Sequence, residues 1–123
     1  MTTQNTITHI EWVTSQPDSL KIFFKEMFGW EFQTFSGEYL ICNTGENLTV
    51  GILNYHEATA GGTPNVYIDV DSIDNCFARA RSLGGEVAVP KREVGEAGSY
   101  GFVRAPDGNL IGLHEKRGDT ASN

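Results

Sequence analysis

From Ile7 to Val13 apolar and polar residues alternate: Ile10 and Trp12 point to one side of an extended chain, His9 and Glu11 to the other. The period then changes. Leu20, Phe23, Phe24, Met27 and Phe28 recur at helical spacing and form one apolar stripe. Ser15 is the expected cap, Pro17 suits the first turn, Asp18 follows three residues after the cap, and Gly29 ends the helix. Strands are expected at Trp30–Phe35, Tyr39–Asn43 and Leu48–Tyr55, with turns at Ser36-Gly37 and Thr44-Gly45-Glu46-Asn47. This half reads βαβββ.

After HEATAGGTP, residues 56–64, the plan repeats. In Asn65–Asp71, Val66, Ile68 and Val70 share one side, and Asn65, Tyr67 and Asp69 the other. Asp71-Ser72-Ile73-Asp74 opens a helix whose apolar face is Ile73, Phe77, Ala80 and Leu83, and Gly84-Gly85 stops it. Glu86–Val94, Ser99–Arg104 and Asn109–Lys116 are the remaining strands, and Pro106-Asp107-Gly108-Asn109 is a turn feeding a hairpin. The interval that carries His9 onto Asn65 also carries Asp18 onto Asp74 and Gly29 onto Gly85, and Asn47-Leu48 is echoed by Asn109-Leu110. A repeat longer than one helix or strand defines the architecture.

The fold class expected is α+β: one domain of two tandem βαβββ modules, module one 7–55, linker 56–64, module two 65–116, and a loose tail 117–123. One helix per module covers only one sheet face. Two copies side by side make a half-open barrel with helices outside and a cleft inside. Ile10, Trp12, Val66, Ile68 and Val70 then face the helices, while His9, Glu11, Asn65, Tyr67 and Asp69 face the cleft. Enclosed polar groups cost free energy unless paired or wetted, so their convergence marks a candidate binding site. Tyr67 offers an apolar ring with a polar tip. Glu11 and Asp69 are candidate bases, with a hydrated or arginine-paired carboxylate as the plainer alternative and Arg104 as the natural partner. Gly95-Glu96-Ala97-Gly98 lacks a phosphate-loop lysine and reads as a flexible loop, a candidate lid.

With 39% hydrophobic and 20% charged residues over 123 positions, the chain has the make-up of an ordinary globular domain. A formal charge of −7 argues against nucleic acid and against an anionic membrane surface; Lys91 and Arg92 read as a solvated strand end. Cys42 and Cys76 have neither CxxC nor metal-knuckle spacing and read as small buried hydrophobes. The segment MTTQNTITH shows no signal peptide, and no apolar run is long enough to span a membrane, so a reduced, cytoplasmic setting is expected.

THIEWV, FFKEMFGWEF, VYIDVDSID, LGGEV and FVRAPDGNLIGLHE, in this order across residues 7–116, resemble the vicinal oxygen chelate superfamily. That superfamily includes glyoxalase I, extradiol ring-cleaving dioxygenases, fosfomycin-resistance enzymes and bleomycin-resistance proteins. In its metal-using members the ligands lie on the first and last strands of each module. By resemblance those positions fall on His9, which can coordinate; on Asn65, whose amide is a poor ligand; on Gly112, which has no side chain; and on Val50 or Gly51, neither a donor. The resemblance therefore implies a metal-independent protein, with no cofactor, that binds a small, partly apolar molecule in its cleft, as the bleomycin-resistance branch does. The alternative is a metal-dependent lyase, isomerase or dioxygenase. It would use a shifted set of His9, Glu11 and His114, the last lying two residues beyond Gly112 and so on its side of the strand. A homodimer is expected from the resemblance and from the prevalence of two-fold pairing.

Overall fold

In a computed structural model of the chain, residues 5–59 and 62–117 are described. Residues 60–61 of the expected linker and 118–123 of the expected tail lie outside them. Their elements run β1 (Thr6–Thr14), α1 (Pro17–Phe28), β2 (Gln33–Ser36), β3 (Tyr39–Asn43), β4 (Thr49–Asn54), β5 (Asn65–Asp69), α2 (Ile73–Ser82), β6 (Glu86–Glu93), β7 (Ser99–Arg104) and β8 (Leu110–Glu115). A 3-10 turn at Gly95–Ala97 joins β6 to β7. The chain is α+β, and the βαβββ plan occurs twice. It divides into two compact units, one of Thr8–Val66, the other beginning at Tyr67 and including the start of β1 up to Ile7.

In the first unit β4 runs antiparallel to β3 and parallel to β1, giving the order β2-β3-β4-β1. Strand alternation puts Trp12, Leu40, Cys42, Val50 and Ile52 on the face that packs beneath α1. Phe24 is its centre: its ring centroid lies 5.1 Å from Trp12, 5.2 Å from Trp30 and 5.8 Å from Phe32. Burial of such side chains contributes about 2 kcal/mol each before chain entropy is subtracted. The helix buries less of its stripe than the sequence predicts. Phe23, Met27 and Phe28 remain 54%, 57% and 55% exposed, because Trp30 and Phe32 fill the space around Phe24. Those two aromatics precede β2, so the strand expected from Trp30 begins only at Gln33. The helix cap is Gln16, not Ser15: Pro17 takes the first helical position, and the Gln16 N–H donates to Thr14 Oγ1 at 3.0 Å. Gly29 closes the helix at φ 76°, its N–H donating to the Lys25 carbonyl.

The second unit repeats this as β6-β7-β8-β5, with β8 antiparallel to β7 and parallel to β5. Ile68, Val70, Val87, Val103 and Leu113 pack beneath α2 against Ile73 and Phe77. Gly101 permits the approach, since a β-carbon there would lie 2.8 Å from Phe77 Cζ. Ser72 caps α2 by accepting from the Asn75 N–H at 3.1 Å, and Glu115 Oε1 accepts from the Ile73 N–H at 2.8 Å. Lys91 is no free strand end; its Nζ lies 3.6 Å from the same Glu115 oxygen and 3.8 Å from Asp74. Leu83, expected on the buried face, caps the helix C-terminus and is exposed. Both cysteines are free thiols, and burial pushes each above the usual thiol value, Cys76 further through Glu115 and Asp71.

Candidate functional site

The helix-free face of the first unit is built from alternate residues of β1, β3 and β4. His9 and Glu11 project from β1, opposite Thr49 and Gly51 of β4. Tyr39 at the start of β3 shares that side with Ile41, the partner of Gly51. His9 is held at both ring nitrogens: Nδ1 lies 2.6 Å from Thr49 Oγ1 and Nε2 lies 2.7 Å from Tyr39 Oη. The Tyr39 ring continues over Gly51. A β-carbon at Gly51 would overlap the phenol oxygen and lie 2.9 Å from His9 Nε2. Glu11 is buried, and Asn65 donates from Nδ2 to Glu11 Oε1 at 3.4 Å. The structure thus brings His9, Glu11 and Asn65 together, and adds Tyr39 and Thr49, which sequence reading left among ordinary strand residues. Gly51 was the available signal, since a glycine inside a strand marks a close approach by another group.

The second unit repeats the device. Tyr67 lies opposite Gly112 in the β5–β8 register, and Asp69 lies opposite His114. A β-carbon at Gly112 would sit 2.7 Å from Tyr67 Cδ2 and 3.0 Å from Cγ, so the ring covers the glycine. Phe102 meets that ring edge-on at 5.2 Å. Asp69 is buried, and its Oδ1 lies 2.8 Å from His114 Nδ1. The other nitrogen of His114 donates to the Ala97 carbonyl at 2.6 Å. Arg104 is not the partner of Asp69. It lies along β7 with its Nε 3.8 Å from Glu86 and its Nη1 donating to the Gly108 carbonyl. Nor is Gly95–Gly98 a loose loop: the Gly98 N–H donates to the Gly95 carbonyl, the Val94 N–H donates to the Gly98 carbonyl, and His114 grips its third residue.

The strand registers also decide between Val50 and Gly51. Glu11 faces Gly51 as its repeat counterpart Tyr67 faces Gly112, so Gly51 is the match of Gly112. The residues at these positions do not fit the divalent ion held by the metal-using proteins that the sequence resembles. Each last-strand position is a glycine, and a tyrosine ring fills the space a carboxylate would need. The first-strand positions are His9, with both nitrogens engaged, and the Asn65 amide. The shifted set fares no better: His9 and His114 would each have to give up a hydrogen bond to free a nitrogen. Among the described residues no group of three or more His, Cys, Asp or Glu side chains is placed to hold a metal ion.

Known proteins share this plan. The chain is 26% identical over 118 residues to the protein named "Putative glyoxylase CFP32" of Mycobacterium bovis and of Mycobacterium tuberculosis, covering 89% of this chain and 45% of the relative. It thus spans about half the length of the curated relatives it matches. Among solved structures it superposes on methylmalonyl-CoA epimerase from Mycobacterium tuberculosis with a TM-score of 0.73 at 15% identity, covering 100% of this chain and 97% of that one. A glyoxalase/bleomycin resistance protein/dioxygenase superfamily member from Vibrio splendidus 12B01 gives 0.65 at 18% identity, covering 90% and 100%. At these identities the structures show a shared fold and nothing finer. The family model matches residues 6–113 and takes in both copies of the repeat, so the chain belongs to the Glyoxalase/Bleomycin resistance protein/Dioxygenase superfamily.

Proposed function

We propose that the chain is a metal-independent member of this superfamily that binds a small, partly apolar molecule against the helix-free faces of its sheets. One observation carries the reading: the last-strand position of each module is a glycine roofed by a tyrosine ring, Tyr39 over Gly51 and Tyr67 over Gly112. In the first unit the same tyrosine holds the His9 nitrogen that an ion would need. These faces offer aromatic surface beside a few fixed polar groups, the composition of a small-molecule site. Elemental analysis of protein purified without chelator is expected to find no stoichiometric ion, and Zn, Ni, Mn or Fe(II) to leave melting unchanged. A thermal-shift screen of metabolites and aromatic antibiotics is expected to find compounds that raise the melting temperature, because a ligand selective for the folded state stabilises it. One ion per chain, lost in His9→Ala, would overturn the reading in favour of a metal-dependent lyase, isomerase or dioxygenase.

Two further parts of the reading concern setting and assembly. No helix among the described residues is long and apolar enough to cross a membrane, and we read the protein as cytoplasmic, without a nucleic-acid partner. We also read it as a homodimer. Ile22, Phe23, Met27 and Phe28 give α1 an exposed apolar face that a second copy would cover. Light scattering after size exclusion is expected to give twice the chain mass of 13.5 kDa; a strict monomer at micromolar concentration would remove this part.

A further inference from the structure

On the helix-free face of the second unit the strand registers set two rows side by side. In one, Phe102 of β7 lies between Val89 of β6 and Gly112 of β8, with Tyr67 of β5 beyond. The other runs Arg92, Tyr100, His114, Asp69 across the same four strands. Partners across a ladder share a face, so Arg92 stands on the side of the rings and away from α2. The bulge between Val89 and Arg92 separates the two neighbouring cations. Lys91 turns toward α2, where its Nζ lies 3.8 Å from Asp74 and 3.6 Å from Glu115, and Arg92 turns the other way.

Arg104, the other arginine of these strands, is occupied by Glu86 and the Gly108 carbonyl. Arg92 is exposed, and among the described residues it forms no ion pair and no side-chain hydrogen bond. The hydroxyl of Tyr100, its cross-strand neighbour, has no hydrogen-bond partner among them either. The Tyr100 ring meets Phe102 edge-on at 6.3 Å, and Phe102 meets Tyr67 at 5.2 Å, so ring surface continues from the free guanidinium toward Gly112. A guanidinium only donates, is always charged, and matches the two oxygens of a carboxylate with its fork. The carboxylate of this row, Asp69, stands at its far end against His114, three strands and about 14 Å away at ordinary strand spacing. With a formal charge of −7 the chain as a whole repels anions, so an anion bound on this face depends on the local cation.

We propose that Arg92, beside Tyr100, is the anion anchor of the second-unit site, and that the ligand is a small, flat apolar acid with its carboxylate on Arg92 and its ring against Phe102. The Cα atoms of Arg92 and Phe102 are about 8 Å apart by strand spacing and rise, a distance one bicyclic acid spans. This rests on the reading of the helix-free faces as a small-molecule site and names the class of ligand.

Naphthoate and naphthamide, alike in ring and shape and different in charge, test it on the full chain by NMR at the ring carbons of Tyr100 and Phe102. Naphthoate is expected to bind about tenfold tighter, the scale of one charge-assisted hydrogen bond at a partly hydrated site, and to shift the Arg92 Nε–H signal. Arg92→Gln, at an exposed side chain without an ion pair, is expected to melt as the parent does and to lose the preference. Equal binding of the two probes overturns the anion anchor and leaves the small-molecule reading standing. Binding of neither probe, or a preference that survives Arg92→Gln, overturns the anchor as well. The metal analysis and the thermal-shift screen judge the parent reading separately.

Discussion

Gly51→Ala is expected to destabilise the protein by about 2–4 kcal/mol, a large effect for one methyl group, and Tyr39→Ala in the same chain is expected to restore part of it. The new β-carbon would overlap the phenol oxygen and lie 2.5 Å from Cζ, so the ring must leave. With it goes the 2.7 Å bond to His9 Nε2. Tyr39→Phe should rescue little, because Cζ is itself in the way. Gly112→Ala repeats the test in the second unit, where Tyr67 Cδ2 would stand 2.7 Å from the added carbon. Chemical denaturation of both double-mutant cycles checks this, with coupling of at least about 1 kcal/mol expected for groups in direct contact. Additive costs within each pair would show that the rings do not fill the glycine positions.

The same substitutions ask why the family's metal positions are closed here. Gly51→Glu alone adds a carboxylate where a ring already lies, and it should lose stability without gaining an ion. Gly51→Glu with Tyr39→Ala places a carboxylate beside His9 and opposite Glu11, an oxygen and nitrogen donor set of the kind divalent first-row ions accept. Stabilisation of that double variant by Zn or Ni, absent from the parent, is the corollary of reading Tyr39 as the occupant of the site.

What could be read from the sequence divides along a physical line. Alternation is local, so β1 and β5 showed which residues leave the helix-covered face, and His9, Glu11, Tyr67 and Asp69 are found on the other one. The repeat added the matching of whole elements. Lateral partners are not local. Tyr39 reaches Gly51 only through the β3–β4 register, which no spacing within β3 announces. Arg104 looked a natural partner for Asp69 by charge, yet pairing on β7 takes it to Glu86, and His114 comes opposite Asp69 instead. The helix stripe was overread for a similar reason. Periodicity identifies which side of α1 is apolar, but Trp30 and Phe32, outside the helix, decide how much of that side is covered.

Asp69→Ala is expected to cost about 1–3 kcal/mol, the scale for removing one partner of a part-buried hydrogen-bonded pair. The geometry explains why the loss spreads. The Ala97 carbonyl only accepts, so His114 Nε2 carries a hydrogen; the 2.8 Å contact at Nδ1 then holds a second one between the ring and Asp69 Oδ1. Removing the carboxylate leaves Nδ1 without that partner and lets the imidazole turn, which frees the Gly95–Ala97 turn it grips. Amide exchange at Val94 and Gly98, whose N–H groups close that turn, should therefore quicken along with the fall in stability. His114→Ala should free the same turn while leaving Asp69 buried, so the double variant should cost less than the two single costs added. A loss under about 1 kcal/mol for Asp69→Ala, with exchange unchanged, would mean that the pair is not holding the turn. Anchored, the turn fixes the end of β7 beside β8, and with it the strands that carry Phe102 and Gly112 against the Tyr67 ring.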